Sequence, residues 1–209
     1  MRHSSEIQHQ IIDKDIRMNK QASLDGLNQY KTMSELEACL PDIVASPKSS
    51  GSVGMIVCRP RNDDRKILQT CELTLSDGLV GDNWKQRGEW RAPEKPANVD
   101  TQLNLMNLRA IKAIAADHAQ WPLAGDQFFV DFDLSKNNLP PGTRLKIGSA
   151  EIEVTAEPHL GCRKFSDRFG RDAVMFVNSD QGKQINLRGI NARVTKAGTV
   201  SLGDTISKI

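Results

Sequence analysis

Short apolar runs separated by Gly, Pro, Asn and Asp fill the chain from Gly51 onward. Runs of this length, bounded by turn-forming residues, are typical of β-strands. The candidate strands are VGMIVC (53–58), ILQTCELTL (67–75), QLNLM (102–106), FFVDF (128–132), TRLKIG (143–148), AEIEVTA (150–156), INARVTKAG (190–198) and TVSLGDTI (199–206). Many short strands at close spacing indicate a barrel or a sandwich. We therefore expect a mainly β fold.

The segment LKIGSAEIEV alternates apolar and polar positions on both sides of a central glycine. Alternation with a period of two places the apolar side chains on one face of a β-hairpin. These apolar positions are Leu145, Ile147, Ile152 and Val154. Two segments interrupt the strands with helical spacing, residues 107–119 and residues 166–179. A few helices should therefore accompany the β-structure.

The first 50 residues have a different pattern. Apolar residues recur there at weak helical spacing, and the stretch ends at Pro41 and the loop signal SPKSSG. The spaced apolar residues are Leu24, Leu27, Met33, Leu36 and Leu40. We predict a partly helical N-terminal extension over residues 1–50 and a β-barrel domain over residues 51–209.

Composition limits the classes of partner. The 28 Lys and Arg residues nearly balance the 26 Asp and Glu residues, so no global field would hold a nucleic acid or an anionic membrane. The initial segment MRHSSEIQHQ lacks the apolar region of a secretory signal, and no run approaches the ~18 apolar residues of a membrane span. These features predict a cytoplasmic location without nucleic-acid or membrane partners.

The 4 cysteines show no paired C-x-x-C spacing, which argues against a disulfide framework or a structural zinc site. Cys58 and Cys71 lie in strand-like runs and Cys39 lies on a predicted helix, so we expect all three to be packing residues. Cys162 alone stands in polar, glycine-containing surroundings.

The segment PHLGCRKFSDRFG places Arg163 and Lys164 directly after Cys162. Thiolate is the reactive and metal-binding form of cysteine, and neighbouring cations stabilise it. The alternative is a packed turn in which Arg163 and Lys164 form a solvated face. Local sequence favours neither interpretation over the other.

His159 lies three residues before Cys162, which raises the possibility of nucleophilic catalysis. Such a pair needs hydrogen-bond contact and a third group that orients the imidazole. Sequence proximity supplies neither, so a structural or rim position for His159 is the better prediction.

Two further segments offer cations for an anion. In DGLVGDNWKQRG, glycine turns precede Arg87, and in INLRGINARV, Arg188 precedes a glycine. A guanidinium fork suits phosphate oxygens. The alternatives are a simple turn with Trp84 covering the core and a surface ion pair for Arg188. Common nucleotide-binding motifs are absent from the sequence.

Six segments occur in the order seen in MOSC domains, which the chain therefore resembles over roughly residues 53–206. They are GLVGD (78–82), QLNLMN (102–107), AGDQFFVDFDL (124–134), LPPGTRLKIGSAEIEVT (139–155), PHLGCRKFSDRFG (158–170) and NLRGINARVTKAG (186–198). MOSC domains form the C-terminus of molybdenum cofactor sulfurases and also occur alone in small bacterial proteins. An ordered set of six motifs is far more specific than any one of them.

The resemblance implies a MOSC-type β-barrel and gives Cys162 the place of the family's single cysteine. In cofactor-binding members that cysteine is the protein ligand to molybdenum, while basic and polar side chains hold a pterin cofactor. In this sequence the candidates to neutralise the cofactor's phosphate are Lys164, Arg87 and Arg188, and the candidates to orient the pterin or the substrate are Asp82 and Asn83. His159 is a further candidate for cofactor binding. In the sulfurase branch the same cysteine has been proposed to carry sulfur. Both roles require an accessible thiolate.

The chain lacks the C-x-R-C pair of the mitochondrial amidoxime-reducing relatives and resembles the compact bacterial branch associated with detoxifying N-hydroxylated bases. It also lacks the aminotransferase-like domain of sulfurases, so we expect no pyridoxal phosphate site. The resemblance implies a molybdenum-dependent reductase of a small molecule, supplied by an external electron donor because no flavin or iron–sulfur motif is present. The alternatives are a sulfur-carrier or cofactor-delivery protein charged by a cysteine desulfurase, and a non-catalytic binding barrel.

Overall fold

A computed structural model describes residues 30–89, 92 and 94–209 of the chain. Its strands are β1 (Ser50–Cys58), β2 (Lys66–Leu68), β3 (Thr70–Thr74), β4 (Gly78–Leu79), β5 (Leu103–Asn107), β6 (Phe128–Asp131), β7 (Arg144–Ile147), β8 (Ala150–Val154), β9 (Ile190–Lys196), β10 (Gly198–Ser201) and β11 (Thr205–Lys208). The α-helices are α1 (Met33–Glu37), α2 (Leu40–Val44), α3 (Trp84–Arg87), α4 (Leu108–Ile114), α5 (Arg163–Phe169), α6 (Arg171–Asn178) and α7 (Asp180–Gln184). The prediction of a mainly β fold with a few helices is confirmed.

Seven strands close a barrel in the order β1, β6, β5, β9, β8, β7 and β11, which pairs back to β1. Strand β2 pairs with the C-terminal end of β1 and so extends the sheet. Strand β3 forms a separate small sheet with β4 and β10. Only β5 and β6 in the barrel pair in parallel. A parallel pair needs a crossover connection, and α4 followed by a 3-10 helix (His118–Ala124) supplies it. The predicted barrel is therefore confirmed.

Alternation along the strands fills the barrel interior. In the β7–β8 hairpin Leu145 pairs with Ile152, and both side chains are fully buried. Ile147 and Val154 lie in the same interior cluster. The intervening polar residues of the two strands face outward. The hairpin and its apolar face follow the predicted pattern.

A second apolar cluster lies between the outer wall of the barrel and the helices. Strands β1, β5 and β6 contribute Met55, Met106 and Phe129 to it. Helix α5 contributes Phe165 and Phe169. Burial of this apolar area holds the helical layer on the wall, and with it the segment that carries Cys162.

Several elements differ from the predicted ones. The run 67–75 forms two short strands, and the helix predicted over 107–119 ends at Ile114. The helix predicted over 166–179 is divided at Gly170, whose φ of 88° lies in the left-handed region. A side chain is strained in that region, so glycine ends α5 and lets α6 start in a new direction.

The N-terminal prediction lies partly outside the described residues, since Leu24 and Leu27 belong to residues 1–29. Leu36 of α1 is fully buried among the helical-layer residues. Pro41 lies in the first turn of α2 and does not end the helical stretch. Proline is tolerated there because the first helical N–H groups have no partner within the helix. The domain boundary at residue 50 stays a prediction.

No helix within the described part of the chain is both long and apolar enough to cross a membrane.

Candidate functional site

Cys162 ends the connection that leads from β8 to α5, and it is the residue that caps the N-terminus of α5. Its backbone carbonyl accepts a hydrogen bond from the Ser166 N–H at 3.1 Å, while its side chain makes no capping bond. All 4 cysteines are free thiols, and Cys162 is the exposed one among them. The sulfur is therefore accessible to a ligand from solvent.

The other thiols differ from Cys162 in their environment. Cys58 and Cys71 are buried, as predicted, and burial raises the pKa of each, for Cys71 to about 12. Cys39 is half-buried on the helical layer and donates to the Glu35 carbonyl. A reagent that needs an exposed thiolate should therefore select Cys162 over the two buried cysteines.

Arg59 directly follows β1 and is the centre of a buried polar network. Its Nε and Nη2 donate to the two carboxylate oxygens of Asp82, each at 2.9 Å. Its Nη1 donates to Asn104 Oδ1 at 2.9 Å and to the Gly125 carbonyl at 2.8 Å. Both side chains of the Arg59–Asp82 pair are buried, so this ion pair is shielded from water. The two parallel hydrogen bonds fix the orientation of the guanidinium.

Asn104 extends this network toward the Cys162 segment. It lies opposite Asn191 in the β5–β9 ladder and donates to that residue's side-chain oxygen. Asn191 donates in turn to the Glu157 carbonyl at 3.0 Å. The network therefore joins the end of β1 to the segment that leads to Cys162.

A second buried group consists of Asp126, Arg188 and His159. Arg188 Nη1 donates to Asp126 Oδ2 at 2.7 Å, and its Nη2 donates to the Ala124 carbonyl at 2.8 Å. The guanidinium carbon lies 5.0 Å from the centre of the Phe165 ring. Arg188 is therefore held in place by an ion pair and by stacking on α5.

Several polar atoms of these groups lack hydrogen-bond partners among the described residues. His159 Nδ1 and Asp126 Oδ1 are 3.6 Å apart, which is too long for a hydrogen bond, and neither has another partner. Arg188 Nε and Asn83 Oδ1 are also buried without a partner. Buried polar atoms are normally bonded to protein or to ordered water, so these atoms are positions at which water or a polar ligand can bind.

Burial lowers the pKa of His159 from 6.5 to about 3, with a further contribution from the Arg188 cation that exceeds the opposing effect of Asp126. The imidazole is therefore neutral at pH 7. An unfolded chain binds its proton below pH 6.5, whereas the folded protein does so only near pH 3. The stability that His159 contributes in its neutral form is thus lost as pH falls below 6.5.

We therefore expect His159→Gln to reduce the dependence of stability on acid. Between pH 7 and pH 5, the wild-type free energy of unfolding should fall by about 2 kcal/mol more than that of the variant. Urea unfolding at the two pH values measures the difference. His118→Gln, which changes an exposed imidazole, is the control and should behave like the wild type. Equal losses in wild type and His159→Gln would contradict this assignment.

A group of cations surrounds the buried network on its solvent side. Partial burial, Arg168 and Arg59 lower the pKa of Arg65. Arg87 is an exposed residue, but the protein around its guanidinium excludes part of the water there. This desolvation, followed by repulsion from Arg59, lowers the pKa of Arg87. The arginines Arg59, Arg65 and Arg168 therefore lie close enough to repel one another, and an anion at this surface would relieve that repulsion.

Asp63 offsets part of this charge on the α5 side. Arg168 donates to Asp63 at 2.7 Å, and Lys164 Nζ lies 3.8 Å from the same carboxylate. The Lys164 pair is exposed and weak, so this ammonium can exchange Asp63 for another anion. Arg163 is almost fully exposed and lies 4.0 Å from Asp167, as expected for a solvated face.

The site residues predicted from sequence fall into two groups. Asp82 and Arg188 are buried and occupied by ion pairs, and Asn83 lies beside Asp82 at the start of α3. Arg87 and Lys164 are exposed cations, and the His159 side chain is only 14% exposed. The predicted residues thus supply both buried and solvent-facing groups.

Sequence reasoning missed Arg59, Arg65, Asp126, Asn104 and Asn191. The last three lie inside the segments that carry the family resemblance, but no local pattern distinguishes them there. An arginine directly after a buried strand was the one available signal for Arg59.

No group of three or more His, Cys, Asp or Glu residues in the described ranges is arranged to hold a metal ion. A metal bound at Cys162 would therefore need most of its ligands from another molecule.

The MOSC domain model matches residues 94–207 of the 209-residue chain, a range that contains Cys162. Among solved structures, the YUAD protein from Bacillus subtilis has a TM-score of 0.52 at 17% identity, over 75% of this chain and 94% of that one. A structure described as a hypothetical protein has a TM-score of 0.52 at 20% identity, over 76% of this chain and 68% of that one. YiiM from Escherichia coli has a TM-score of 0.49 at 19% identity, over 76% and 69% of the two chains. No curated protein matches the chain.

Proposed function

The chain belongs to the MOSC domain family, which is associated with molybdenum cofactor biology, and from this premise we propose that it binds the pterin molybdenum cofactor and reduces N-hydroxylated small molecules. The observation that carries the proposal is the exposed Cys162 thiol at the start of α5, a helix that contacts buried Arg188 through Phe165 and carries the cations Lys164 and Arg168. A soft metal, a phosphate and a polar heterocycle are the three parts that such a site would hold.

The donors available at the site fit this cofactor. Cys162 supplies one soft ligand, which suits a metal that arrives with other ligands on its own cofactor. Arg65, Arg87 and Lys164 are the cations for its phosphate, and Asn83 Oδ1 is a buried acceptor for a ring N–H. When bound, the cofactor supplies a molybdenum centre that exchanges an oxygen atom and two electrons.

The buried ion pairs act on the site through its geometry. Asp82 fixes the Arg59 guanidinium, and Arg59 fixes the Gly125 carbonyl beside Asp126. Asp126 then holds Arg188 against Phe165 of α5, the helix that Cys162 caps. The Arg59 guanidinium and the Nη atoms of Arg188 already donate to carboxylates and carbonyls, so we assign these residues to positioning. We assign Arg65, Arg87 and Lys164 to direct contact with the phosphate.

The overall reaction balances as a two-electron reduction. The N–OH bond breaks, two electrons and two protons are consumed, and the products are the N–H compound and water. The chain has no sequence motif for a flavin or an iron–sulfur centre, so we assign the electrons to a separate reductase protein.

Protein purified from cells that make the cofactor should oxidise a reduced viologen dye only when an N-hydroxylated base is added. One molecule of the N–H product should form for every two molecules of one-electron dye that are oxidised. Absence of product from a preparation that contains the cofactor would contradict the reductase proposal.

The same assay tests the cationic surface with a matched pair of variants. Arg65→Gln should lower turnover at least about tenfold, because a charge-assisted contact to the cofactor's phosphate is lost. Arg61→Gln removes the same charge from the same loop, but Arg61 is almost fully exposed and forms only a 3.6 Å pair with Asp64. Its turnover should stay within about twofold of wild type. Equal effects of the two variants would contradict a specific role for Arg65. Arg65 also donates to the Pro122 and Asp64 carbonyls, so a loss of turnover that is matched by a loss of stability would contradict the phosphate contact as well.

A further inference from the structure

The peptide on the N-terminal side of Cys162 is held by a side chain from another helix. Asn178, the last residue of α6, accepts a hydrogen bond from the Gly161 N–H at 2.9 Å. The Asn178 side-chain amide donates to the Gly161 carbonyl at 2.8 Å. One side chain therefore fixes both peptide groups that flank Gly161, the second of which is bonded to Cys162.

Gly161 also lies unusually close to α6. A Cβ atom at this position would lie 2.9 Å from side-chain carbons of both Val174 and Val177. This distance is shorter than a normal van der Waals contact, so only glycine allows the backbone to reach the Asn178 side chain without a shift. The glycine and the asparagine thus form a single attachment point.

An attachment is needed because Cys162 is exposed. Free cysteine behaves as a small apolar residue and is usually buried. Leu160 on the other side of Gly161 is also an exposed apolar residue. A loop that could move freely would turn these two side chains toward the apolar surface of α6, since this burial lowers the free energy.

We infer that Asn178 is a positioning residue that keeps the Cys162 thiol in its exposed orientation. The inference rests on the proposed role of Cys162 as the functional ligand, but it concerns the orientation of the thiol before any cofactor binds. We assign Asn178 no direct contact with the Cys162 sulfur. It acts through the two hydrogen bonds to Gly161.

The test measures the rate at which a dipyridyl disulfide, a reagent that acts on thiols from acid to alkaline pH, reacts with Cys162. Peptide mass spectrometry separates Cys162 from the half-buried Cys39 in the same molecule. Asn178→Ala should lower the Cys162 rate at least about fivefold, because the released loop buries the thiol. The Cys39 rate should be unchanged.

Ser179→Ala is the matched control. Ser179 donates to the Phe176 carbonyl and accepts from the Gly182 N–H, so its loss weakens the same end of α6 without touching Gly161. Its Cys162 rate should stay within about twofold of wild type, even when its melting temperature falls as far as that of Asn178→Ala. Equal effects of the two variants would mean that general loosening of α6 controls the thiol, which would overturn the inference.

Asn178→Asp adds a pH-dependent readout. The introduced carboxylate keeps an acceptor for the Gly161 N–H but places a second acceptor against the Gly161 carbonyl. Protonation restores a donor, so the Cys162 rate of this variant relative to wild type should rise as pH falls from 8 to about 5. A ratio of variant to wild-type Cys162 rate that does not change with pH would overturn the inference. This comparison still tests the inference if Asn178→Ala fails to fold.

Molybdenum content separates this inference from the proposed function. Wild-type protein without molybdenum or turnover, combined with a slowed Cys162 reaction in Asn178→Ala, would contradict the reductase and support the attachment. Molybdenum in the wild type combined with an unchanged Cys162 rate in Asn178→Ala would support the reductase and overturn the attachment.

Discussion

Asp82→Ala should lower the free energy of unfolding by about 3–5 kcal/mol. The change leaves the Arg59 guanidinium buried with two neutral acceptors, Asn104 and the Gly125 carbonyl, and without a countercharge. It also removes the acceptor for the Trp84 N–H at the start of α3. An uncompensated buried charge is far more costly than the loss of a contact between exposed groups.

Urea unfolding of wild type, Asp82→Ala and Asp77→Ala measures this effect. Asp77 pairs with Lys85 at 2.8 Å and both side chains are exposed. Asp77→Ala therefore also removes the carboxylate of an ion pair, but at a position where water can solvate the remaining cation. Asp77→Ala should show only a small fraction of the loss seen with Asp82→Ala. Similar losses in the two variants would contradict the importance of the buried network.

Cys162→Ser should reduce turnover of an N-hydroxylated substrate at least about 100-fold. A hydroxyl is a much poorer ligand than a thiolate for a soft metal and stays protonated at neutral pH. The substitution is nearly isosteric at an exposed position, so the fold and its melting temperature should be preserved. Loss of activity would then reflect the sulfur atom and not unfolding.

Cys39→Ser is the control for this substitution. Cys39 lies on the helical layer, donates to the Glu35 carbonyl, and is the other cysteine that is not fully buried. Its serine variant should turn over substrate like the wild type. Activity retained by Cys162→Ser, or lost equally in both variants, would contradict the assignment of Cys162.

The barrel was predictable because its signals are local. Alternation across LKIGSAEIEV has the strand period, and the structure pairs Leu145 with Ile152 accordingly. The break between α5 and α6 was not predicted, because the helical spacing of residues 166–179 continues across Gly170. Whether a glycine interrupts such a segment depends on packing that surrounds it. Here Tyr30 occupies the space beside Gly170, with a ring carbon 2.8 Å from the position of an added Cβ.

The buried site network was not predictable, because its contacts join distant parts of the chain. Arg59 meets Asp82, Asn104 and Gly125 only after β1, β5 and β6 have paired. Asn104 meets Asn191 through the register of two strands that are 87 residues apart. Cys162 could be identified because its glycine turn, its cations and the family resemblance all fall within one short segment.

The central proposal is that Cys162 ligates molybdenum, and the molybdenum content of purified protein tests it most directly. Wild type and Cys162→Ser are expressed in the same cofactor-producing cells and measured beside Cys39→Ser. We predict bound molybdenum in the wild type and in Cys39→Ser, and background levels in Cys162→Ser. Background levels in the wild type, or equal metal in wild type and Cys162→Ser, would contradict the proposal, and a sulfur adduct on Cys162 after treatment with a cysteine desulfurase would then favour sulfur carriage.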